Sequence, residues 1–389
     1  MDIELKYGVN PHQKDARVHF DGNVSPLKVL NGVPSYVNIL DALAAWQLVK
    51  ELKAACGIAS AASFKHVSPA GAAIAKPLDS AFLKSQFITE TDLSPVATAY
   101  IRARGGDRMC AFGDAAAVSE TVDVSLAKII KSEVSDLIIA PAYDPEALEI
   151  LKAKKKGNYL VLQIDNDYEP GDIETKDVYG FTLQQSRNKA VVDANFFNNI
   201  VTANKNVTEE ALQSLIVATI ALKYTQSNSV VVAYDGQLIG VGAGQQSRVH
   251  CLRLACSKAE KWFLQQHPKV LGLEFTDNLK KPEKANVVDQ FILWDELSDN
   301  EKNLMALQLK SVPEPVSLEE KTLFIDKFNG ISLSSDAFFP FRDNIDRASR
   351  TNIQYVAHPG GSLRDDLCIA AADEYNIVMC HTGTRLFTH

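Results

Sequence analysis

Several things are missing from this 389-residue sequence, and each absence narrows the reading. No apolar run approaches the roughly 20 residues that cross a bilayer. The start, Met1-Asp2-Ile3-Glu4-Leu5-Lys6, lacks the basic-then-apolar layout of a secretory leader. A protein that avoids membranes and resides in the cytoplasm is therefore expected. Basic clusters are also missing: 40 Lys+Arg against 48 Asp+Glu gives 40 − 48 = −8, which argues against general nucleic-acid binding. Cysteine is scarce. Cys56, Cys110, Cys251, Cys256, Cys368 and Cys380 are scattered, with no CxxC pair, and a chain with its own core does not need disulfides, so free buried thiols are expected. Neither His-x-Glu nor Pro-Cys-x-x-Cys, the signature of zinc nucleoside deaminases, occurs. His250, Cys251 and Cys256 have no matching second pair, so neither zinc nor any other metal site is expected from spacing.

What is present is an ordinary globular balance, 46% hydrophobic and 23% charged, which excludes a largely disordered chain. The length allows two or three domains. Asp41 reads as the cap of a helix running through Trp46 to Ala55. Ala62–Val67 reads as a short buried strand, and Ser68-Pro69-Ala70-Gly71 as the turn into a helix start. Ser94-Pro95 and Asp144-Pro145 both place proline at a first helical position. Leu137–Ala140 and Tyr159–Leu162 are strand-like. Thr208 opens a helix to about Tyr224. Val230–Tyr234 is a strand, Asp235-Gly236 a type I′ hairpin signal, and a helix follows from about Ser247 to Gln266. Residues 268–330, charge-rich and broken by Pro282, Pro313 and Pro315, read as a helical insertion. A strand at Tyr355–Ala357, a helix from Asp365 to Tyr375 and a strand at Asn376–Cys380 complete the pattern. This alternation predicts an α/β layered fold. A strand–turn–helix theme at Lys65–Gly71 and again at His358–Ser362 points to an internal duplication.

Four stretches carry possible chemistry, the first three with two readings each. The run Gly240–Arg248 lacks the third glycine of a dinucleotide fingerprint and the Gly-Lys-Ser/Thr ending of a Walker loop. It is either an anion cradle ending in Arg248 or a bend where strand and helix pack closely. Lys65-His66 closes a buried-looking strand. Two polar side chains there are either a solvated strand end or an electrophile beside a base, suited to acyl or proton transfer. Ser334–Asn344 holds Phe338, Phe339 and Phe341, either a wall that stacks on a planar ring or a plug for the core. Pro359-Gly360-Gly361-Ser362 is a candidate carboxylate cradle. The tail residues Arg385 and His389 would be frayed in an arbitrary protein.

The motifs Tyr7-Gly8-Val9-Asn10-Pro11-His12-Gln13, Lys65–Gly71, Arg104–Met109, Phe112-Gly113-Asp114, Lys223–Ser229, Gly242–Arg248, Ser335–Asp343 and Arg385–His389 occur in this order. In this the sequence resembles, over essentially its whole length, the transformylase part of the bifunctional 5-aminoimidazole-4-carboxamide ribonucleotide (AICAR) transformylase/inosinate cyclohydrolase family. The resemblance implies transfer of a formyl group from 10-formyltetrahydrofolate to the 5-amino group of AICAR in de novo purine biosynthesis. It implies His66 as proton acceptor, Lys65 as transition-state stabiliser and Asn228 beside the reacting centre. Lys6, Tyr7, Gly113, Asp136, Arg248, Phe338 and Arg385 would bind the nucleotide. Met109, Phe112, Val249, Asp343, Asn344, Ser362 and Leu363 would hold folate. It further implies two duplicated cytidine-deaminase-like α/β/α units without zinc, a homodimer with shared sites, and a potassium ion. The units would be residues 1–170, and 171–267 completed by 331–389, with 268–330 inserted. No residues are left over for a cyclohydrolase domain, so a single activity is expected. The alternative is a non-catalytic paralogue that binds AICAR or folate in a regulatory role.

Overall fold

The computed structural model describes residues 2–389, and eleven strands run through it as one sheet. They are β1 (Leu27–Asn31), β2 (Ser60–Lys65), β3 (Ser68–Ile74), β4 (Asp114–Val118), β5 (Ser135–Ala140), β6 (Leu160–Ile164), β7 (Val230–Tyr234), β8 (Gln237–Gly242), β9 (Ser332–Ser335), β10 (Tyr355–His358) and β11 (Val378–His381). Across the sheet the order is β11-β10-β9-β7-β8-β3-β2-β4-β5-β6-β1. Helices cover both faces, as the α/β alternation predicts. The main ones are α1 (Tyr36–Cys56), α2 (Pro95–Arg104), α3 (Val124–Ser132), α4 (Pro145–Lys152), α5 (Glu209–Leu222), α6 (Arg248–Leu264), α7 (Asp343–Arg350) and α8 (Asp365–Glu374).

The topology repeats. β2 and β3 form an antiparallel hairpin, β4 pairs antiparallel with β2, and β5 and β6 follow in parallel. β7 and β8 likewise form a hairpin, β9 pairs antiparallel with β7, and β10 and β11 follow in parallel. Helices α1 to α4 and α5 to α8 occupy matching places between them. The halves meet where β3 and β8 pair through Ala73 and Gln237. The recurrence noted in the sequence does not join equivalent positions, however. Lys65–Gly71 lies in the first hairpin, and its counterpart is Tyr234–Gln237. His358–Ser362 follows β10, whose counterpart is β5.

Two local expectations are corrected. Ser68–Ile74 is a strand, not a turn into a helix. Its residues are small because α2 lies directly on it: a Cβ on Gly71 would fall 2.0 Å from the carbonyl oxygen of Ala103. Helix α1 is capped by Ser35 in a capping box with Asn38, not by Asp41, which sits inside the helix with its side chain buried. Ser94 and Thr208 do cap, accepting from the amides of Ala97 and Ala211. Asp144 starts α4 without a side-chain cap bond. Two exposed hairpins, Asp2–Glu4 with Arg17–His19 and Ile173–Val178 with Phe181–Ser186, are additional to the strands expected above, although Asp2–Tyr7 and Arg17–Phe20 alternate polar and apolar residues.

Residues 268–330 follow α6, where the first copy has only the short passage from α2 to β4. They form short helices at Pro268–Leu271, Lys281–Ile292, Asp299–Ala306 and Leu318–Ile325. A buried ion network anchors them: Glu133 lies 3.1 Å from Lys281, 2.8 Å from Arg108 and 3.2 Å from Arg104. Burial alone would raise the Glu133 pKa, but Arg108, Arg104 and Lys281 together hold it down at about 2. All six cysteines are free thiols. Among the described residues no helix is long and apolar enough to cross a membrane.

Candidate functional site

The chain reverses between β2 and β3 at His66 and Val67, both left-handed at φ +54° and +57°. This is the backbone of a type I′ turn, which favours Asn, Asp and Gly. The counterpart turn has Asp235 and Gly236 at φ +50° and +71°, the residues that this geometry prefers. A β-branched valine held left-handed carries roughly 1–3 kcal/mol of strain and needs its surroundings to impose it. Asp41 does so, accepting from the Val67 amide at 2.6 Å. Burial raises the Asp41 pKa, opposed by the Val67 amide and by nearby His66.

This turn presents Lys65 and His66 to a cleft of about 310 Å³, shared with Ser68, Cys110, Ala243 and Lys258. Lys65 Nζ donates to the carbonyl oxygen of Phe112 and lies 5.9 Å from the centre of its ring. Lys258 Nζ lies 3.0 Å from Asp107 and donates to Cys110 Sγ at 3.2 Å. Burial works to lower the Lys258 pKa, but Asp107 raises it overall, while burial raises that of Cys110. Near neutral pH the pair is an ammonium and a thiol, neither of them a nucleophile.

The second copy adjoins this turn through the loop before β7. The Gln226 amide donates to Ser68 Oγ at 3.4 Å, and the Gly244 amide to the Gln226 carbonyl at 2.8 Å. Asn228 Nδ2 donates to the Gln245 carbonyl at 2.8 Å, and its Oδ1 accepts from Arg248 at 2.8 Å. Arg248, 8% exposed, also donates to the Ser229 carbonyl at 2.9 Å and is paired with Asp336, which is 0% exposed. Asp336 accepts in addition from Ser227 Oγ at 2.6 Å and the Ser229 amide at 2.9 Å. In the glycine run both readings have a share. Gly240 and Gly242 are packing glycines, since a Cβ on either would fall 2.1 Å from a carbonyl oxygen of α6. Gly244, at φ +66° with open space around it, makes the turn that delivers Arg248.

The tail is not frayed. The Leu386 amide donates to the Asp336 carbonyl at 2.9 Å, the Ser227 amide to the Thr388 carbonyl at 2.9 Å, and the Thr388 amide to Ser227 Oγ at 3.0 Å. Arg385 is exposed and stacks 4.6 Å from the Phe387 ring centre.

The remaining candidates fall into groups. Lys6 and Tyr7 dock on the start of α1: the Lys6 amide donates to the Pro34 carbonyl at 2.9 Å, and the Tyr36 amide to the Tyr7 carbonyl at 3.2 Å. Gly113, at φ +77°, faces Asp136, whose carboxylate a Cβ there would meet at 3.4 Å. Asp136 also pairs with Lys155 at 2.5 Å. Met109, Phe112 and Phe338 are exposed. The aromatic run divides, because Phe339 is fully buried against His358, ring centres 4.9 Å apart. Asp343 opens α7, and the buried Asn344 donates to it at 2.9 Å. Val249 is half-buried on the first turn of α6, about 13 Å along the helix from Lys258. Ser362 and Leu363 lie in the loop after β10, Leu363 fully exposed. The hydrogen-bond chain thus unites the Lys65-His66 hairpin with Asn228 and Arg248. Among the described residues no hydrogen bond ties Ser362 or Leu363 to it. Asp41, Ser68, Lys258 and Asp336 were missed as site residues. Only Asp336 gave a local signal, as the acid heading the aromatic run. Among the described residues no group of three or more His, Cys, Asp or Glu is placed to hold a metal.

Behind Phe339, burial pushes the His358 pKa down to about 3, with Nδ1 accepting from the Gly360 amide at 3.0 Å. Its folded pKa lies below the unfolded value near 6.5, so the unfolded chain takes up the proton first. Stability is therefore lost as pH falls below about 6.5, by at most about 1.4 kcal/mol per unit. Urea unfolding at pH 7 and pH 5 should show a smaller loss in His358→Gln than in the wild type. Equal losses would mean that His358 does not govern this pH range.

A family model described as "AICARFT/IMPCHase bienzyme" matches residues 1–258. Among curated proteins, three relatives each named "Bifunctional purine biosynthesis protein PurH" come from Xanthomonas oryzae pv. oryzae strains MAFF 311018, KACC10331 / KXO85 and PXO99A. Each is 32% identical over 394 residues, covering 100% of this chain and 58% of the relative. The chain thus spans somewhat over half the length of the curated relatives it matches. The matched region carries the Lys65-His66 turn, Asn228 and Arg248, so the site assembled above lies largely in its most recognisable part, and the chain belongs to the AICARFT/IMPCHase bienzyme family.

Proposed function

We propose that this protein is an AICAR transformylase, moving the formyl group of 10-formyltetrahydrofolate onto the 5-amino group of AICAR. The observation that carries this reading is the strained His66-Val67 turn, imposed by Asp41 and aimed at a cleft beside the Asn228–Arg248 network. Strain that a type I′ turn does not need is held where the chemistry needs it. The acceptor amine is a weak nucleophile, its lone pair delocalised into the imidazole and carboxamide. It attacks the formyl carbon while His66 takes its proton, and the oxyanion is stabilised by the Lys65 ammonium. The carbon–nitrogen bond to folate then breaks, the proton going to the departing nitrogen. Lys6 and Arg385 bring positive charge to the nucleotide on a chain of net charge −8, while Arg248, its charge balanced by Asp336, offers N–H donors. Tyr7, Gly113 and Asp136 complete the nucleotide contacts, and Phe338 offers a ring for stacking. Met109, Phe112, Val249, Asp343, Asn344, Ser362 and Leu363 form the folate side, where Asp343 and Asn344 supply the polar contacts a pterin needs. A cytoplasmic location accords with this role.

The oxygens around Asp336 fit a potassium ion. Ser229 Oγ is buried without a partner beside that carboxylate, and Ser227 Oγ is its neighbour. Such an ion would supply positive charge that steadies the loop bearing Asn228.

Release of tetrahydrofolate from AICAR and 10-formyltetrahydrofolate is the test, with ring closure followed in parallel. Nucleotide binding without turnover would instead favour the non-catalytic paralogue. Exposed Phe112, Phe338, Phe341 and Leu363 support a homodimer with shared sites. If the folate side comes from the partner subunit, mixed His66→Ala and Asp343→Ala proteins should regain roughly a quarter of wild-type activity, because half the dimers are mixed and each mixed dimer has one intact site. No recovery despite demonstrated subunit exchange would place each site within one chain.

A further inference from the structure

Asp41 and Ser214 hold the same place in the two copies of the fold. Each stands six residues after its helix cap, Ser35 for α1 and Thr208 for α5. Each accepts a hydrogen bond from the second residue of the hairpin turn beside it. The Gly236 amide donates to Ser214 Oγ at 3.1 Å, and the Val67 amide to Asp41 at 2.6 Å. The second copy shows what this arrangement needs as structure alone. Its turn, Asp235-Gly236, takes a left-handed backbone readily, and a serine hydroxyl is acceptor enough. The first copy departs from it twice: its turn holds a β-branched valine, and its acceptor is a carboxylate.

Neither departure serves packing. Val67 is 37% exposed, so the core does not need its side chain. Asp41 is 7% exposed, on a helix whose other buried residues are all apolar. Among the described residues no Lys or Arg is paired with it. A carboxylate buried without a counter-charge is unfavourable. It does, however, hold an N–H about twice as strongly as a neutral oxygen does, and a strained valine needs that hold where a glycine does not. Both departures occur in the copy that presents Lys65 and His66. His66 precedes Val67 in the turn, so the backbone that Asp41 fixes is the backbone that aims the imidazole into the cleft. On the transformylase reading given above, we propose that Asp41 is a positioning residue: by holding the Val67 amide it keeps the His66-Val67 turn left-handed and the imidazole of His66 directed at the substrate amine. Asp41 touches no substrate and acts only through the turn.

Two measurements on the whole chain test this: formyl-transfer kinetics, and the magnetic resonance signals of the His66 ring, identified by their loss in His66→Ala. Alanine favours a helix and removes a buried acid, so Asp41→Ala should fold, which thermal unfolding checks. Its kcat should fall about tenfold or more, the scale of a misplaced catalytic group, while KM for AICAR moves by less than about threefold. Its His66 ring signals should shift and broaden. Asp41→Asn, which keeps the shape and weakens the acceptor, should lose kcat in the same sense but less. The decisive comparison uses Val67→Gly, because glycine takes the left-handed backbone without help. Adding Asp41→Ala to Val67→Gly should change kcat by less than about threefold relative to Val67→Gly alone. A purely structural Asp41 would lower stability without this dependence of kcat on residue 67. Any of three results would overturn the proposal: kcat of Asp41→Ala near wild type, an equal fall in kcat with and without Val67→Gly, or unchanged His66 signals in Asp41→Ala. No formyl transfer by the wild type would overturn the proposed function instead, and the His66 signals would still decide whether Asp41 holds the turn.

Discussion

Replacing His66 by alanine is expected to lower the rate of formyl transfer by at least about 100-fold, the usual scale for a lost acid–base group. The fold should survive, because His66 is exposed and no core contact depends on it. The turn survives as well, since the Val67 amide keeps its bond to Asp41. If His66 takes the amine proton, the loss falls on kcat rather than on nucleotide binding, which we assign to Lys6, Arg248 and Arg385 elsewhere. His66→Asn separates the two roles of this position. Asparagine tolerates a left-handed backbone as well as histidine does, but it cannot accept a proton at neutral pH. It should be as slow as the alanine variant while matching the wild type in stability. A rate near wild type in either variant would remove His66 from the mechanism.

The second large effect is on stability. Asp336→Ala should destabilise the protein by about 3–5 kcal/mol, because it leaves the Arg248 guanidinium buried without its counter-charge. The same change takes an acceptor from Ser227 Oγ and the Ser229 amide, loosening the loop that carries Asn228. Activity should fall with it, although Asp336 makes no contact with the cleft. Adding Arg248→Met to Asp336→Ala removes the stranded charge and should return a good part of the stability while the enzyme stays inactive. Urea unfolding of the single and double variants measures this. A double variant no more stable than Asp336→Ala would show that the buried ion pair is not the main support of this corner.

Local chemistry made much of the fold legible. Thr208, Ser94 and the Asp235-Gly236 turn act through contacts within four residues, and each does what its type predicts. The failures share a different cause. Ser68–Ile74 does not read as a strand because six of its seven residues are Ser, Pro, Ala or Gly, and only Ile74 is of the β-branched type that marks one. Its composition is dictated by α2, which lies on it and is distant in sequence. Asp41 has the chemistry of a cap, but its partner is the Val67 amide, 26 residues away. The site divides in the same way. Lys65 and His66 stood out because two polar residues at a buried strand end need an explanation. Asp336, Ser68 and Lys258 owe their roles to the docking of two hairpins, which no spacing in the sequence announces.

The pinned tail has a consequence in time. Ser227 exchanges hydrogen bonds with Thr388, which is added to the chain 161 residues later. At synthesis rates of about 5–20 residues per second, that separation is roughly 8–32 s. Through that interval the first hairpin, α5 and the loop of Asn228 can already be folding, while Asp336 and then Leu386 and Thr388 are still to come. The site is therefore finished from its far end, and a nascent chain can have most of its sheet without a working catalytic corner.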